Sequence, residues 1–113
     1  MTVGVHVARH VDSQGFYAAR YPKYDDTMYY VYVIESESSG SWYIGYTTDV
    51  HTRLEKHNQN GNTSTSKRGP WKLIYYEAYL DKSDALGREK FLKSGSGWRF
   101  LKKQIRNYLE GKS

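Results

Sequence analysis

One run of residues limits the fold of this chain more than any other. Tyr29-Tyr30-Val31-Tyr32-Val33-Ile34 is made wholly of β-branched and aromatic side chains. Such residues favour extended backbone, and neighbours along a strand point to opposite faces, so this strand is apolar on both. A strand of that kind needs cover on each side and is expected at the centre of a sheet. With 113 residues, the chain has material for one modest core around it and none for a second.

The flanking residues suggest how that sheet is completed. Residues 35–41 are polar, with Ser and Gly, and read as a hairpin connection. Trp42 to Tyr46 is a second short strand, interrupted by Gly45. Thr47, Thr48 and Asp49 offer caps for a helix reaching about Asn58. A polar loop then runs through Pro70 to a third strand, Lys72 to Tyr79. Asp81 or Ser83 caps a second helix, with Gly95 to Gly97 as its stop. Trp98 to Leu109 reads as a third helix, with Trp98, Leu101, Ile105 and Tyr108 on one stripe. The order ββαβαα predicts an α+β fold, a three-stranded antiparallel sheet in the order 2-1-3 flanked by helices. Residues 1–27 follow neither a period of 2 nor one of 3.6. They read as a poorly ordered N-terminal extension to a folded unit of residues 28–113.

Composition removes several classes of chemistry. The absence of cysteine excludes disulfides, thiolate zinc sites and a Cys nucleophile, and fits a reducing compartment. No apolar run approaches the roughly 20 residues of a membrane span. Val3, Val5 and Val7 alternate with Gly and His instead of following a basic segment as in a secretory signal. The expected location is cytoplasmic. The net charge of +5 is concentrated late in the chain, where Lys90, Lys93, Arg99, Lys102, Lys103, Arg106 and Lys112 face Glu110 alone. Such a stripe either keeps a helix solvated or attracts a polyanion.

Four segments carry residues suited to chemistry. At about 100° per residue, Glu89 falls within the arc of the second helix defined by Ala85, Leu86 and Leu92. A carboxylate there must be paired, protonated or metal-bound, and Lys93 or an arginine could supply the pair. Arg53 and His57 share a face of the first helix. The former offers a planar donor fork for phosphate oxygens, the latter a proton exchanged near neutral pH. Tyr32 and Tyr43 share a face of the hairpin if paired residue numbers sum to an odd value, such as 75. Gly45 would let a backbone or ligand come close to that surface.

Taken together, Tyr30-Val31-Tyr32, Tyr43-Ile44-Gly45, Arg53 with His57, and Arg88-Glu89-Lys90 resemble the GIY-YIG nuclease family in order and spacing. The segment Pro70 to Glu77 is similar to that family's third strand, and the resemblance covers roughly residues 28 to 109. It implies an endonuclease that hydrolyses DNA phosphodiester bonds at one divalent metal, Mg²⁺ or alternatively Mn²⁺, in repair or recombination. By that resemblance Glu89 is the metal ligand and Arg53 holds the scissile phosphate. Tyr32 and Tyr43 position or deprotonate the attacking water, with the choice of base left open, and His57 assists proton transfer. Tyr30 occupies the place of the first motif's Gly, and Tyr46 stands where many relatives carry a lysine. Lys67, Arg68, Lys93, Arg99 and Lys102 are the expected phosphate contacts. A domain this small offers little surface for sequence readout, so a protein partner or homodimer is a further expectation. The alternative reading is a nucleic-acid-binding or adaptor module that keeps the fold with little turnover.

Overall fold

The computed structural model describes residues 27–59 and 68–112. The expected N-terminal extension therefore lies outside the described residues, Thr27 excepted. Three strands, β1 (Tyr29–Ser36), β2 (Trp42–Thr47) and β3 (Trp71–Tyr79), form one antiparallel sheet in the order β2-β1-β3. The helices are α1 (Val50–Asn58), α2 (Lys82–Leu92), α3 (Gly95–Gln104) and the short α4 (Arg106–Glu110). The α+β architecture is the expected one, with the Tyr29–Ile34 run at its centre. No helix among the described residues is long and apolar enough to cross a membrane.

The two faces of the sheet receive different cover. Val31 and Val33 on β1 and Ile44 on β2 pack with Ala85, Leu92 and Leu101 from α2 and α3, forming the main core. On the opposite face lie Tyr32 and its strand neighbours of the same parity, covered by α1, whose buried residue is His57. Asp49 caps α1, accepting from the Thr52 N–H at 3.1 Å and from the Thr52 hydroxyl at 2.9 Å. The far end of α1 is tied down by Asn58. Its amide donates to the Trp71 carbonyl at 3.0 Å and accepts from the Trp71 N–H at 2.7 Å. The side chain thus imitates a strand partner at the first residue of β3.

The helical region departs from the expectation in two places. Gly95 and Gly97 begin α3 rather than stopping α2, which ends at Leu92. Ser94 has extended backbone, and its hydroxyl accepts from the Gly97 N–H at 3.1 Å, making it the N-cap. A Cβ at Gly97 would collide with the backbone of Phe91 and Leu92, so the absence of a side chain lets α3 start directly against α2. The expected helix 98–109 is also broken at Ile105, whose φ of −113° and ψ of 33° are not helical. The apolar stripe nevertheless points where it was expected to, since Leu101 is buried and Trp98, Ile105 and Tyr108 are partly so. Of the three apolar residues assigned to the α2 arc, Ala85 and Leu92 are buried and Leu86 is exposed.

Two buried carboxylates on the α2/α3 side were not anticipated. Glu77 is wholly buried and accepts from the Arg88 Nε at 2.9 Å and Nη2 at 3.0 Å, and from the Tyr75 and Tyr79 hydroxyls at 2.6 Å each. Glu35 accepts from the Trp42 indole at 3.0 Å and the Tyr108 hydroxyl at 2.6 Å, and pairs with Lys112 at 2.6 Å. Burial favours the protonated acid at both positions. The cation and hydrogen-bond donors around each outweigh it and hold the carboxyl below its usual range. The readable signal for Glu77 was its place between Tyr75 and Tyr79 on one face of β3.

Candidate active site

The hairpin register decides whether the two phenols can meet. Tyr32 pairs with Gly45 and Tyr43 with Ile34, so paired numbers sum to 77, an odd value. Tyr32 and Tyr43 are consequently diagonal neighbours on one face, their rings 6.4 Å apart and edge-on. The Tyr32 ring lies over Gly45, where a Cβ would stand 2.5 Å from its hydroxyl oxygen. Gly45 is thus needed for the tyrosine opposite it, and the close approach expected there is made by that ring. Gly45→Ala should displace Tyr32 at a cost of about 1–3 kcal/mol, the usual range for an overpacked core. A melting temperature unchanged from wild type would show that the ring has room to move.

From α1, His57 completes the cluster. Its Nε2 is 2.8 Å from the Tyr32 hydroxyl, and its ring centre is 4.8 Å from that of Tyr43. Tyr32 and His57 are each 1% exposed, whereas Tyr43 is half-buried. Burial pushes the Tyr32 phenol well above its ordinary pKa; Tyr43 and Glu89 add to the rise, and Arg53 offsets part of it. Burial and then the Arg53 charge lower the pKa of His57. At neutral pH the 2.8 Å bond therefore joins a neutral phenol to a neutral imidazole. In the protein alone Tyr32 is not prepared to act as a base.

Arg53 and Glu89 bring charge to this cluster from two helices. The guanidinium acts on both Tyr32 and His57, and the carboxylate acts on Tyr32. Glu89 is sheltered, with 20% of its side chain exposed, and it pairs with Lys93 at 3.0 Å. The ion pair that rivalled metal binding is therefore present. Among the described residues no group of three or more His, Cys, Asp or Glu could hold a metal. One sheltered carboxylate still fits a hard divalent cation of the Mg²⁺ kind, which keeps several waters and takes substrate phosphate oxygens as ligands. It does not fit a cation caged wholly by protein.

Each expected phosphate contact that the structure describes has a neighbour of its own. Lys67 lies outside the described residues. Arg68 is exposed, with its guanidinium 5.7 Å from the Trp71 ring and its carbonyl accepting from the Ser36 hydroxyl at 2.6 Å. Lys93 is held by Glu89. Arg99 donates to the Ser96 hydroxyl at 3.1 Å, and the Lys102 ammonium lies 6.0 Å from the Trp98 ring. All four described cations are exposed.

The sheet in the order 2-1-3 carries the paired phenols, and its flanking helices bring an arginine, a histidine and a glutamate to them. The chain belongs to the GIY-YIG catalytic domain family, which it matches over residues 28–100. Its relatives include the UPF0213 proteins of Staphylococcus aureus strains Mu50 and N315, each 45% identical over 67 residues, 58% of this chain and 80% of the relative. It is also similar to a UPF0213 protein from Bacillus halodurans solved by solution NMR. That similarity is 38% identity over 75% of this chain and 88% of the other, with a TM-score of 0.43.

Proposed function

We propose that the protein is a metal-dependent endonuclease that hydrolyses DNA phosphodiester bonds, on structured or damaged DNA of the kind met in repair and recombination. The observation that carries this reading is the Tyr32–His57–Tyr43 cluster, within the electrostatic reach of Arg53 and Glu89. In it Arg53 binds the phosphoryl oxygens, where a planar guanidinium can donate twice. Tyr43, the more accessible phenol, orients the attacking water. His57, in ring contact with Tyr43 and neutral at working pH, is the base toward which the water's proton moves. Tyr32 holds the imidazole in place and excludes solvent behind it. Glu89 would hold the divalent cation, which when bound stabilises charge on the phosphoryl and leaving oxygens. The attacking oxygen bonds to phosphorus as the ester P–O bond breaks, and the leaving oxygen takes up a proton.

The test is cleavage of plasmid, branched and single-stranded DNA with Mg²⁺ or Mn²⁺ and with EDTA. Cutting should require the metal, and Arg53→Ala should lower the rate by roughly 10²–10³, the usual loss for one charge-stabilising donor. Cutting undiminished by EDTA would remove the metal from the reading, and binding without cutting would leave an adaptor module. The pH profile adds a check. A proton on His57 removes its capacity as base, and its pKa is lowered from the ordinary 6.5, so the acid limb of the rate should lie below pH 6.5. A limb centred above that value would exclude His57 from proton transfer.

A further inference from the structure

At the edge strand β2, which carries Tyr43, the residues Trp42, Tyr43, Ile44, Lys93 and Trp98 line an open hollow of about 190 Å³. Two of these five residues already belong to the site, Tyr43 as its more accessible phenol and Lys93 as the partner of Glu89. Trp42 and Trp98 form its wall. Trp98 stacks on Trp42 with ring centres 4.9 Å apart and planes 11° from parallel. Trp42 is in turn fixed by its indole N–H, which donates to the buried Glu35 carboxylate at 3.0 Å. Lys102 stands over the same wall, 6.0 Å from the Trp98 ring.

We propose that this hollow is a nucleotide subsite, which holds the residue flanking the scissile phosphate with its base against the Trp98 and Tyr43 rings. The proposal rests on the endonuclease reading and extends it to a stretch of substrate beyond the cut bond. Size and chemistry agree on the occupant. The hollow is smaller than the roughly 300 Å³ at which sites for whole small molecules begin, so it suits one base of a chain that is anchored elsewhere. Aromatic rings beside flexible cations are the combination by which single nucleic-acid strands are held, because every base has a face to stack and every link carries a phosphate. Lys93 and Lys102 supply the cations. The Lys93–Glu89 pair is half exposed on the lysine side and spans one helical turn, so exchanging that carboxylate for a phosphate costs little. Because a duplex keeps its bases stacked within, occupancy requires an unpaired or extruded base next to the cut. The subsite therefore predicts preference for single-stranded or distorted DNA at that position.

The experiment compares oligonucleotides from which one base, on either side of the mapped cut, has been removed to leave an abasic sugar. With wild-type protein, removal on one flank should raise KM roughly tenfold, within the range for losing one base–aromatic stack. Trp98→Leu should raise KM on the intact strand by a similar factor and make the protein indifferent to the missing base. Its melting temperature identifies loss of fold, and if it does not fold, the wild-type comparison decides alone. Equal KM for intact and abasic strands on both flanks would overturn the subsite while leaving the nuclease reading in place. Wild-type protein that neither cuts nor binds the intact strand would overturn both.

Discussion

Arg88→Ala should destabilise the protein by about 3 kcal/mol, toward the lower end of the 3–5 kcal/mol range for stripping one partner from a buried ion pair. Glu77 is wholly buried, but a quarter of the Arg88 side chain is exposed, so water screens part of the pair. The loss is large beside the total stability of a small domain, about 5–15 kcal/mol. Removing the guanidinium leaves the Glu77 carboxylate, among the described residues, with the Tyr75 and Tyr79 hydroxyls. It also removes a cation that lies 4.4 Å from the Phe100 ring and 5.2 Å from that of Phe91. The companion variant Glu77→Leu with Arg88→Met replaces both charges by apolar groups and should recover most of the loss, since no unpaired charge then stays in the core. Denaturant unfolding measures both. A loss below about 1 kcal/mol for Arg88→Ala would mean that the pair does not hold α2 on the sheet. The same carboxylate makes the fold acid-sensitive. Its pKa is lower folded than unfolded, so its contribution is complete above the ordinary carboxylate value of about 4.5 and is lost as pH falls through the folded value. Glu35 contributes with the same sign.

Glu89→Gln should have the opposite profile, with the fold kept and cutting lost by at least roughly 10²–10³. The substitution keeps size and shape and removes only the charge. The ion pair it breaks among the described residues is with Lys93, four residues along the same helix, and such pairs contribute about 0.3–0.5 kcal/mol. Melting temperature should therefore stay within a few degrees of wild type, near the shift about 0.5 kcal/mol produces in a domain of this size. Lys93→Met breaks the same ion pair without touching the carboxylate. If Glu89 serves only to hold Lys93, the two variants should lose stability and activity alike. Cutting by Glu89→Gln within tenfold of wild type would remove Glu89 as metal ligand.

Glu89 and Glu77 differ in how much of their setting is written in the neighbouring residues. Both lie on core-facing positions, one on a helix and one on a strand. Glu89 was legible because it falls in a motif with Arg53, His57 and the two tyrosines at familiar separations. Glu77 was hidden within an apolar strand, although Tyr75 and Tyr79 on either side place it facing the helices. Its partner Arg88 is eleven residues away, beyond any local periodicity.

The central strand, the strand order, the Asp49 cap and the condition on parity under which Tyr32 and Tyr43 meet were all determined by the chain itself, and the hairpin register then met that condition. Each depends on side chains within a few positions of one another or on the two-residue repeat of a strand. Tertiary structure decided the rest. It buried Tyr32 and His57 against each other from positions 25 apart, leaving Tyr43 as the more exposed phenol. It joined Glu35 to Tyr108 across 73 residues, started α3 at the glycines expected to stop α2, and built the tryptophan wall beside the site. Burial and charge pairing depend on which distant segments come into contact, and that is set by the packing of helices on both faces of the sheet.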